Sequence, residues 1–452
     1  MRRWVASYYA PNFLNPPLEL MGLGAIAKQR AGASVRLIVA IAEDWDEARV
    51  VRELETFEPD LLVVMPGFNT FPRDMACLER IMSHFETTRV VCFGYLPTHF
   101  AKRILENTRV DVVLRDEPEA PFSEVYARLC DGADLRGIAG IAYTTAHGIE
   151  VTPPRGRLEN LDSLPYPDHS LINLDHYNES FLERPIGAIM AERGCPYQCT
   201  YCVRTFGMKL YSRSATNILD EIEQLRREHD IRNIRFMDDT FTLNRTRTME
   251  LCEGIVQRQL DIAFTCLTRV DSVDAALLAA MKRAGCKRLY VGVESGSQKV
   301  LDYYKKGLTL ETIRKQMPII QNSGIEASIF FMVGAPVETD TDVQASIDLA
   351  IELDLDYIIV TKLQYWPGTE LFSKEGEKVD FDIFSSGELV YSAPGHELAT
   401  ARQRHFYRRF YFRPHYFAKR LKTLLRSPRD TVVGFLKLSA WVFGPRTSDD
   451  FI

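Results

Sequence analysis

Three thiols fall within eight positions of the segment RGCPYQCTYC: Cys195, Cys199 and Cys202, in the spacing C-x3-C-x2-C. With nine cysteines scattered over 452 residues, roughly 0.004 such spacings arise by chance. Loops this short let several thiolates converge on one inorganic centre. Three protein ligands leave one iron of a 4Fe–4S cluster open, whereas a closed electron-transfer cluster takes a fourth. Zinc is the competing reading. It prefers four ligands, however, and neither a second C-x-x-C nor a histidine pair lies nearby. Downstream, charged residues recur at the ends of apolar runs: Asp238 and Asp239 in FMDDTF, Arg269 in TRVD, Glu294 in VGVESGS. Each has a plainer alternative, since aspartates cap helices and Arg or Glu form ordinary ion pairs. Their order, one set per run and all after the cysteine loop, argues for a shared site. Cys252, Cys266 and Cys286 fall within helix or strand patterns and read as buried structural thiols, as do Cys77, Cys92 and Cys130.

Regular elements must carry these groups to one place. From residue 186, six apolar runs (GAIMAE, NIRFMD, FTCLT, RLYVGVE, ASIFFMVG, YIIVTKL) alternate with helical patterns such as NILDEIEQLRREH and VDAALLAAMKRAG. Six such units predict a partial (βα)6 TIM-type barrel over 186–375, with its site at the C-terminal ends of the strands. Ahead of it, RWVASYY, SVRLIVAIA, DLLVVMPG, RVVCFG and DVVLRD read as buried strands separated by helical spacing. They predict a Rossmann-like, doubly wound parallel sheet over 1–145. Such sheets bind ligands on the loops that follow their strands, here 12–17, 66–70, 94–98 and 116–119. The stretch GRLENLDSLPYPDHS marks a linker within 146–185. The fold class is α/β, closed by a mostly helical extension over 376–452.

Composition narrows the function classes. With 46% hydrophobic residues, the chain can build two or three domains with large cores. A net charge of -6 and a pI near 5.9 speak against a nucleic-acid partner. An odd number of cysteines spread along a long chain does not suit a secreted disulfide framework, so a reducing cytoplasm is the expected location. The start, MRRWVASYYAPN, has no apolar run that would make a signal peptide. No stretch reaches the 18 or so apolar residues of a membrane span. The extension carries HFYRRFYFRPHYFAKRLKTLLR, without an acidic residue from Ala401 to Arg429. Interleaved arginines and aromatics suit a lipid headgroup surface, a stacked polynucleotide, or a helical lid on the barrel with solvated arginines.

The cysteine loop, with aromatic Tyr201 just before the last cysteine, resembles the signature of radical S-adenosylmethionine (SAM) enzymes, and the resemblance extends over most of the chain. It implies that Cys195, Cys199 and Cys202 hold a 4Fe–4S cluster and that Tyr201 lies against SAM. It places Met237, Asp238 and Asp239 at the SAM amino group, Arg269 at its carboxylate, Glu294 and Ser295 at the ribose, and Val333 and Gly334 beside adenine. One electron from the cluster then cleaves a carbon–sulfur bond of SAM. The resulting 5′-deoxyadenosyl radical removes hydrogen from an unactivated carbon. A flavodoxin or ferredoxin is the expected electron donor.

A doubly wound sheet before such a barrel resembles the cobalamin-binding half of cobalamin-dependent radical SAM enzymes. The matching pieces are PPLELMGLGAIAKQRAG, the turn after VVCF, and DVVLRDEPE, which departs from the common G-E-P-E by placing Asp116 where glycine stands. The resemblance implies cobalamin contacts at Phe68, Asn69, Thr70, Gly94, Tyr95, Thr98 and Glu117. No D-x-H-x-x-G stretch occurs, so cobalt is expected without a histidine beneath it and with Phe68, Asn69 or Thr70 nearest the metal. His99, a lone loop histidine, reads as solvated. The bland alternative is a sheet that binds nothing. The implied function is C-methylation of an apolar, lipid-like, tetrapyrrole or other natural-product substrate. The alternatives are oxidation, cyclisation or rearrangement with the same cofactors, as in the anaerobic cyclase family, or an iron–sulfur binding protein without turnover. The tail leaves peripheral membrane contact as a further expectation.

Overall fold

The computed structural model describes residues 14–30, 32–179, 182–375, 382–384 and 396–419. Its N-terminal part is one five-stranded sheet in the order β1 (Leu61–Val64), β2 (Arg89–Phe93), β3 (Val112–Leu114), β4 (Ile141–Thr145), β5 (Gly148–Val151). The first three strands are parallel. Side chains of β2 alternate between two cores: Val90 and Cys92 join one face, Val91 and Phe93 the other. A strand covered on both faces reads as an unbroken apolar run, which is why RVVCF was legible. Helices α1 (Leu18–Lys28), α2 (Glu47–Phe57), α3 (Phe71–Met82), α4 (Tyr95–Asn107) and α5 (Glu119–Cys130) complete this half.

Two expectations change here. SVRLIVAIA forms no strand among the described residues: residues 33–39 alternate between exposed and half-buried at first, as a strand would, yet pair with no described strand. Residues 33–39 line a cavity of about 1690 Å³ together with Leu61 and Val63 of β1. A strand needs a neighbour for its N–H and C=O groups, and none of the described strands pairs with this segment. The expected strand RWVASYY lies outside the described residues. The sheet also gains an antiparallel hairpin, β4 and β5, that runs through residue 145 to Val151.

The second half is a six-stranded, all-parallel sheet in the order β13-β12-β11-β10-β9-β6. Its members are β6 (Ile186–Ile189), β9 (Asn233–Phe236), β10 (Ala263–Arg269), β11 (Cys286–Glu294), β12 (Glu326–Val333) and β13 (Tyr357–Lys362). All six expected strands are present, and together they form the partial barrel. The two-residue strands β7 (Glu192–Arg193) and β8 (Tyr211–Ser212) pair antiparallel above β6. The crossover helices are α6 (Ala215–His229), α7 (Arg245–Gln257), α8 (Ala275–Arg283), α9 (Gln298–Tyr303), α10 (Leu310–Asn322) and α11 (Asp340–Glu352). Five of them open on a side chain that accepts from a backbone N–H of the first turn: Ser214, Asn244, Asp274, Thr309 and Thr339. Glu179, from the linker, reaches into the barrel, where it accepts from Tyr290 Oη (2.6 Å), Thr265 Oγ1 (3.0 Å) and Arg235 Nη1 (3.2 Å).

After α12 (Glu370–Glu375), helix α13 (His396–Tyr411) covers the outer edge of β13. Tyr407 and Tyr411 hydroxyls accept from the N–H groups of Val360 and Ile358 at 2.9 Å, and Gln403 Nε2 donates to Val360 O at 2.6 Å. Side chains thus satisfy an edge that would otherwise present bare backbone. Phe406 and Phe410 are fully buried. The described start of the basic, aromatic extension therefore packs on the barrel as a cover for its edge strand; its remainder, from residue 420, lies outside the described residues. Among the described residues no helix is long and apolar enough to cross a membrane.

Candidate active site

The cysteine loop spans 194–210 and is pinched shut by the β7–β8 ladder. Gly194 makes the closure possible: it has φ 88°, and a Cβ there would lie 2.2 Å from Lys209 O. Cys195 N donates to Gly207 O at 3.2 Å, Cys202 N to Cys199 O at 3.2 Å, and Thr200 N to Tyr304 O at 2.9 Å. Burial raises the Cys195 thiol pKa, and Asp239 and Cys199 add to the shift. Cys202 is pushed up to about 12 by burial, then by Asp239, Cys199 and Cys195. Cys195 and Cys202 both feel Cys199 and Asp239, so the loop's thiols lie in one electrostatic pocket. Among the described residues no three His, Cys, Asp or Glu side chains converge on one point as a single ion demands. Thiolates of an iron–sulfur cube bind different irons and need no common point. Elsewhere Cys92, Cys252, Cys266 and Cys286 are buried as expected, but Cys77 is half-buried and Cys130 exposed. Cys130 ends α5 and turns to solvent.

The strand ends sort the expected SAM residues. Neither aspartate of FMDDTF caps a helix, since α7 opens on Asn244. Asp238 is buried, and its Oδ1 accepts from Ala191 N (2.7 Å) and Glu192 N (2.5 Å). It therefore braces the entry to the cysteine loop. Asp239 opens onto the barrel mouth, although the protein around it still raises its pKa through lost hydration. Met237 is half-buried, with its N–H on Ile189 O. Arg269 is buried with its guanidinium 3.5 Å from the centre of the Tyr197 ring. It also donates to Asp271 (3.0 and 3.1 Å) and to Lys306 O (3.0 Å).

Glu294 ends β11 on a register shift, with φ 74°. Its Oε1 lies 2.7 Å from Lys306 Nζ, and both side chains are about nine-tenths buried. Gly292 leaves the room: a Cβ there would sit 2.6 Å from Glu294 Oε1 and 2.9 Å from Lys306 Nζ. Tyr201 lies close enough to Glu294 and Cys199 that burial and these two raise its hydroxyl pKa far above normal. Ser295 turns away: its hydroxyl meets Ser346 of α11 at 3.2 Å and accepts from Ser297 N. Val333 is buried, and Gly334 N donates to Glu338 Oε2 at 2.8 Å.

The N-terminal loops meet this mouth. Phe68 stacks on Trp366 with ring centres 3.6 Å apart, and Tyr95 lies edge-on to the same indole and donates to Pro367 O. Phe68 and Tyr201 pack against one apolar cluster of Val300, Tyr304, Met332, Leu363, Tyr365 and Leu371. Asn69 is half-buried on its loop, whereas Thr70 Oγ1 donates back to Asp74. Gly94 has φ 119°, its carbonyl accepts from Thr98 Oγ1, and Asp116 N donates to that hydroxyl at 2.9 Å. Asp116 has φ 62°, the left-handed conformation that explains why glycine is common at that position. Glu117 does not face a free surface. It accepts from Leu158 N, Arg157 and Arg193, at 3.3 to 3.4 Å. His99 is exposed, as expected, with its ring close to Gly368 and edge-on to Tyr95; the protein around it still lowers its pKa through lost hydration. Lys306, Arg193 and Trp366 were not singled out from the sequence, and Glu119 was read only as part of the loop 116–119. Of the first three, Arg193 carries a visible signal, its place two residues before the first cysteine.

Residues 189–350 match the radical SAM superfamily. An uncharacterized methyltransferase of Pyrococcus horikoshii is 31% identical over 79% of this chain and 78% of its own length. The anaerobic magnesium-protoporphyrin IX monomethyl ester cyclase of Rubrivivax gelatinosus is 25% identical over 83% of this chain and 69% of its own. Among solved structures, TsrM from Kitasatospora setae, a radical SAM methyltransferase with cobalamin and a [4Fe–4S] cluster bound, superposes with a TM-score of 0.68 at 19% identity, covering 90% of this chain and 84% of its own.

Proposed function

The chain belongs to the radical SAM superfamily, and we propose that within it the protein is a cobalamin-dependent enzyme that methylates an unactivated carbon of an apolar substrate. The observation that carries this is the meeting of two loop sets at one barrel mouth, where Phe68 of the N-terminal half and Tyr201 of the cysteine loop share an apolar cluster. A second cofactor held by the first loops would face one held by the second. The fold of TsrM and the methyltransferase relative support the same reading.

The residues present fit the implied groups. Three thiols on a tightly closed loop suit three irons of a cluster and leave the fourth open. Asp239, exposed at the mouth, suits the SAM amine. Arg269 and Lys306 bring positive charge to its carboxylate, Glu294 offers an acceptor to ribose hydroxyls, and Tyr201, Val333 and Gly334 offer apolar and backbone surface to adenine. Cobalamin would lie along the loops of Phe68, Asn69, Gly94, Tyr95 and Thr98, and no histidine ligand to cobalt is assigned, because the sequence carries no D-x-H-x-x-G stretch. When bound, the cluster and SAM supply a 5′-deoxyadenosyl radical and cobalamin supplies the methyl group. The chain's own part is to orient these groups and to keep water from the mouth with Tyr304, Met332, Leu363 and Tyr365. The lining favours a lipid-like or tetrapyrrole substrate, and the electron donor would be a flavodoxin or ferredoxin.

Protein loaded with cobalamin should keep one corrinoid per chain through gel filtration. Its Co(II) electron paramagnetic resonance (EPR) spectrum should lack nitrogen splitting. Nitrogen splitting that vanishes in His99→Ala would refute the ligand assignment. Loss of all corrinoid without loss of turnover would refute the cobalamin assignment. The second reading, oxidation or ring formation with the same cofactors, is favoured by the cyclase relative.

A further inference from the structure

Two carboxylates of the loop 116–119, those of Glu117 and Glu119, are spent on Arg193 at the entry to the cysteine loop. Arg193 is the second residue of β7, two positions before Cys195, and only 8% exposed. Its Nη2 lies 2.5 Å from Glu119 Oε1, and its Nη1 lies 3.3 Å from Glu119 Oε2 and 3.4 Å from Glu117 Oε2. The guanidinium also covers the ring of Phe206, 4.8 Å from its centre, on the far wall of the same loop. Glu119 is the first residue of α5, where the helix end favours a carboxylate. A second connection runs beside the first. Arg157, which contacts Glu117, donates from Nη1 to Thr205 O at 2.9 Å. Gly207, two residues further on, accepts from Cys195 N.

Two-pronged arginine–carboxylate contacts fix direction as well as distance. Buried ion pairs add little net stability compared with apolar packing of similar volume. A pair placed here, between two halves of the chain and beside the first cysteine, serves geometry. We propose that Glu119 and Arg193 are positioning residues through which the N-terminal half holds the cysteine loop in register for its cluster. The N-terminal half is then part of the cluster site and not only a carrier of its own cofactor. This rests on the reading of Cys195, Cys199 and Cys202 as cluster ligands.

The test uses the full chain, reconstituted anaerobically with iron and sulfide and then desalted. Arg193→Lys keeps the charge and loses the fork; Glu119→Gln keeps the shape and loses the charge. Phe410→Ala in α13, remote from the loop, serves as a control for lowered thermal stability. Arg193→Lys should retain less than half the iron of the unaltered chain. Glu119→Gln should retain iron but show a shifted EPR spectrum of the reduced cluster. Phe410→Ala should keep iron and spectrum. If Arg193→Lys does not fold, the Glu119→Gln spectrum decides. Iron content and spectra equal to those of the unaltered chain in both variants would overturn the proposal, as would an equal loss in the control. If the unaltered chain itself takes up no iron, the cluster reading fails and the proposal falls with it.

Discussion

Replacing Lys306 with methionine removes an ammonium group that sits 2.7 Å from Glu294 Oε1, where the side chains are 7% and 11% exposed. Methionine fills similar volume, so the main loss is charge. Breaking one side of a buried pair typically costs about 3–5 kcal/mol, because the remaining charge is left uncompensated. Glu294→Gln should cost a similar amount by stranding the ammonium. The double variant, neutral on both sides, should recover most of that stability in urea unfolding. SAM binding should behave differently. If both groups contact SAM, each single variant loses a charged hydrogen bond, about 1.5–3 kcal/mol, or roughly tenfold to hundredfold in affinity. The double variant should not regain it. Equilibrium dialysis with labelled SAM on cluster-loaded protein reads this directly. SAM affinity within threefold of the unaltered chain in both single variants, or recovered along with stability in the double, would show the pair to be purely structural.

Other expectations follow from the same geometry. Replacing Cys195, Cys199 and Cys202 with Ala should abolish iron–sulfur absorbance after reconstitution, while the same change at Cys252, Cys266 and Cys286 should leave cluster content nearly intact. The adjacent aspartates should separate by role. Asp238→Ala removes the acceptor for Ala191 and Glu192 N–H and should lower iron retention, whereas Asp239→Asn should keep iron and weaken SAM binding. Equal effects on both readouts would contradict the division. Burial raises Glu338 to about 7 from an ordinary 4.5, against the pull of Gly334 N–H and Arg402. A carboxyl raised in the folded state contributes fully below pH 4.5, and its contribution fades as pH rises through about 7. Glu338→Gln should therefore flatten the fall in urea stability between pH 5 and 7.5, by up to about 3 kcal/mol. Parallel profiles would refute it.

The barrel was legible because each strand is a short apolar run and most of the following helices open on a capping residue: Asn244 after NIRFMD, Asp274 after FTCLT, Thr339 after ASIFFMVG. SVRLIVAIA has the same composition but pairs with none of the described strands, since a strand also needs a partner and composition does not supply one. The hairpin of β4 and β5 escaped notice because β5 is mostly exposed and carries little apolar signal. Within the site, the cysteine spacing was read from local sequence alone. Asp238 and Ser295 were expected at SAM, and only their hydrogen bonds show them turned into the protein body. Lys306 stands in YYKKG, a segment that looks like a solvated turn. Lys305 does make a surface pair with Glu370, while Lys306 is drawn inward by a carboxylate 12 positions earlier in the sequence. Tyr407 and Tyr411 sit one turn apart on α13, and their aromatic character fitted a lipid surface as well as a sheet edge.

The central claim is methyl transfer by a radical route. Cluster- and cobalamin-loaded protein should be given a low-potential reductant, SAM with a deuterated methyl group, and extracts of lipids and tetrapyrroles. Mass spectrometry should find both 5′-deoxyadenosine and S-adenosylhomocysteine, and a substrate-derived product heavier by a deuterated methyl group. Formation of 5′-deoxyadenosine without S-adenosylhomocysteine, alongside an oxidised or cyclised product, would contradict methylation and establish the cyclase reading, and formation of neither would contradict turnover itself.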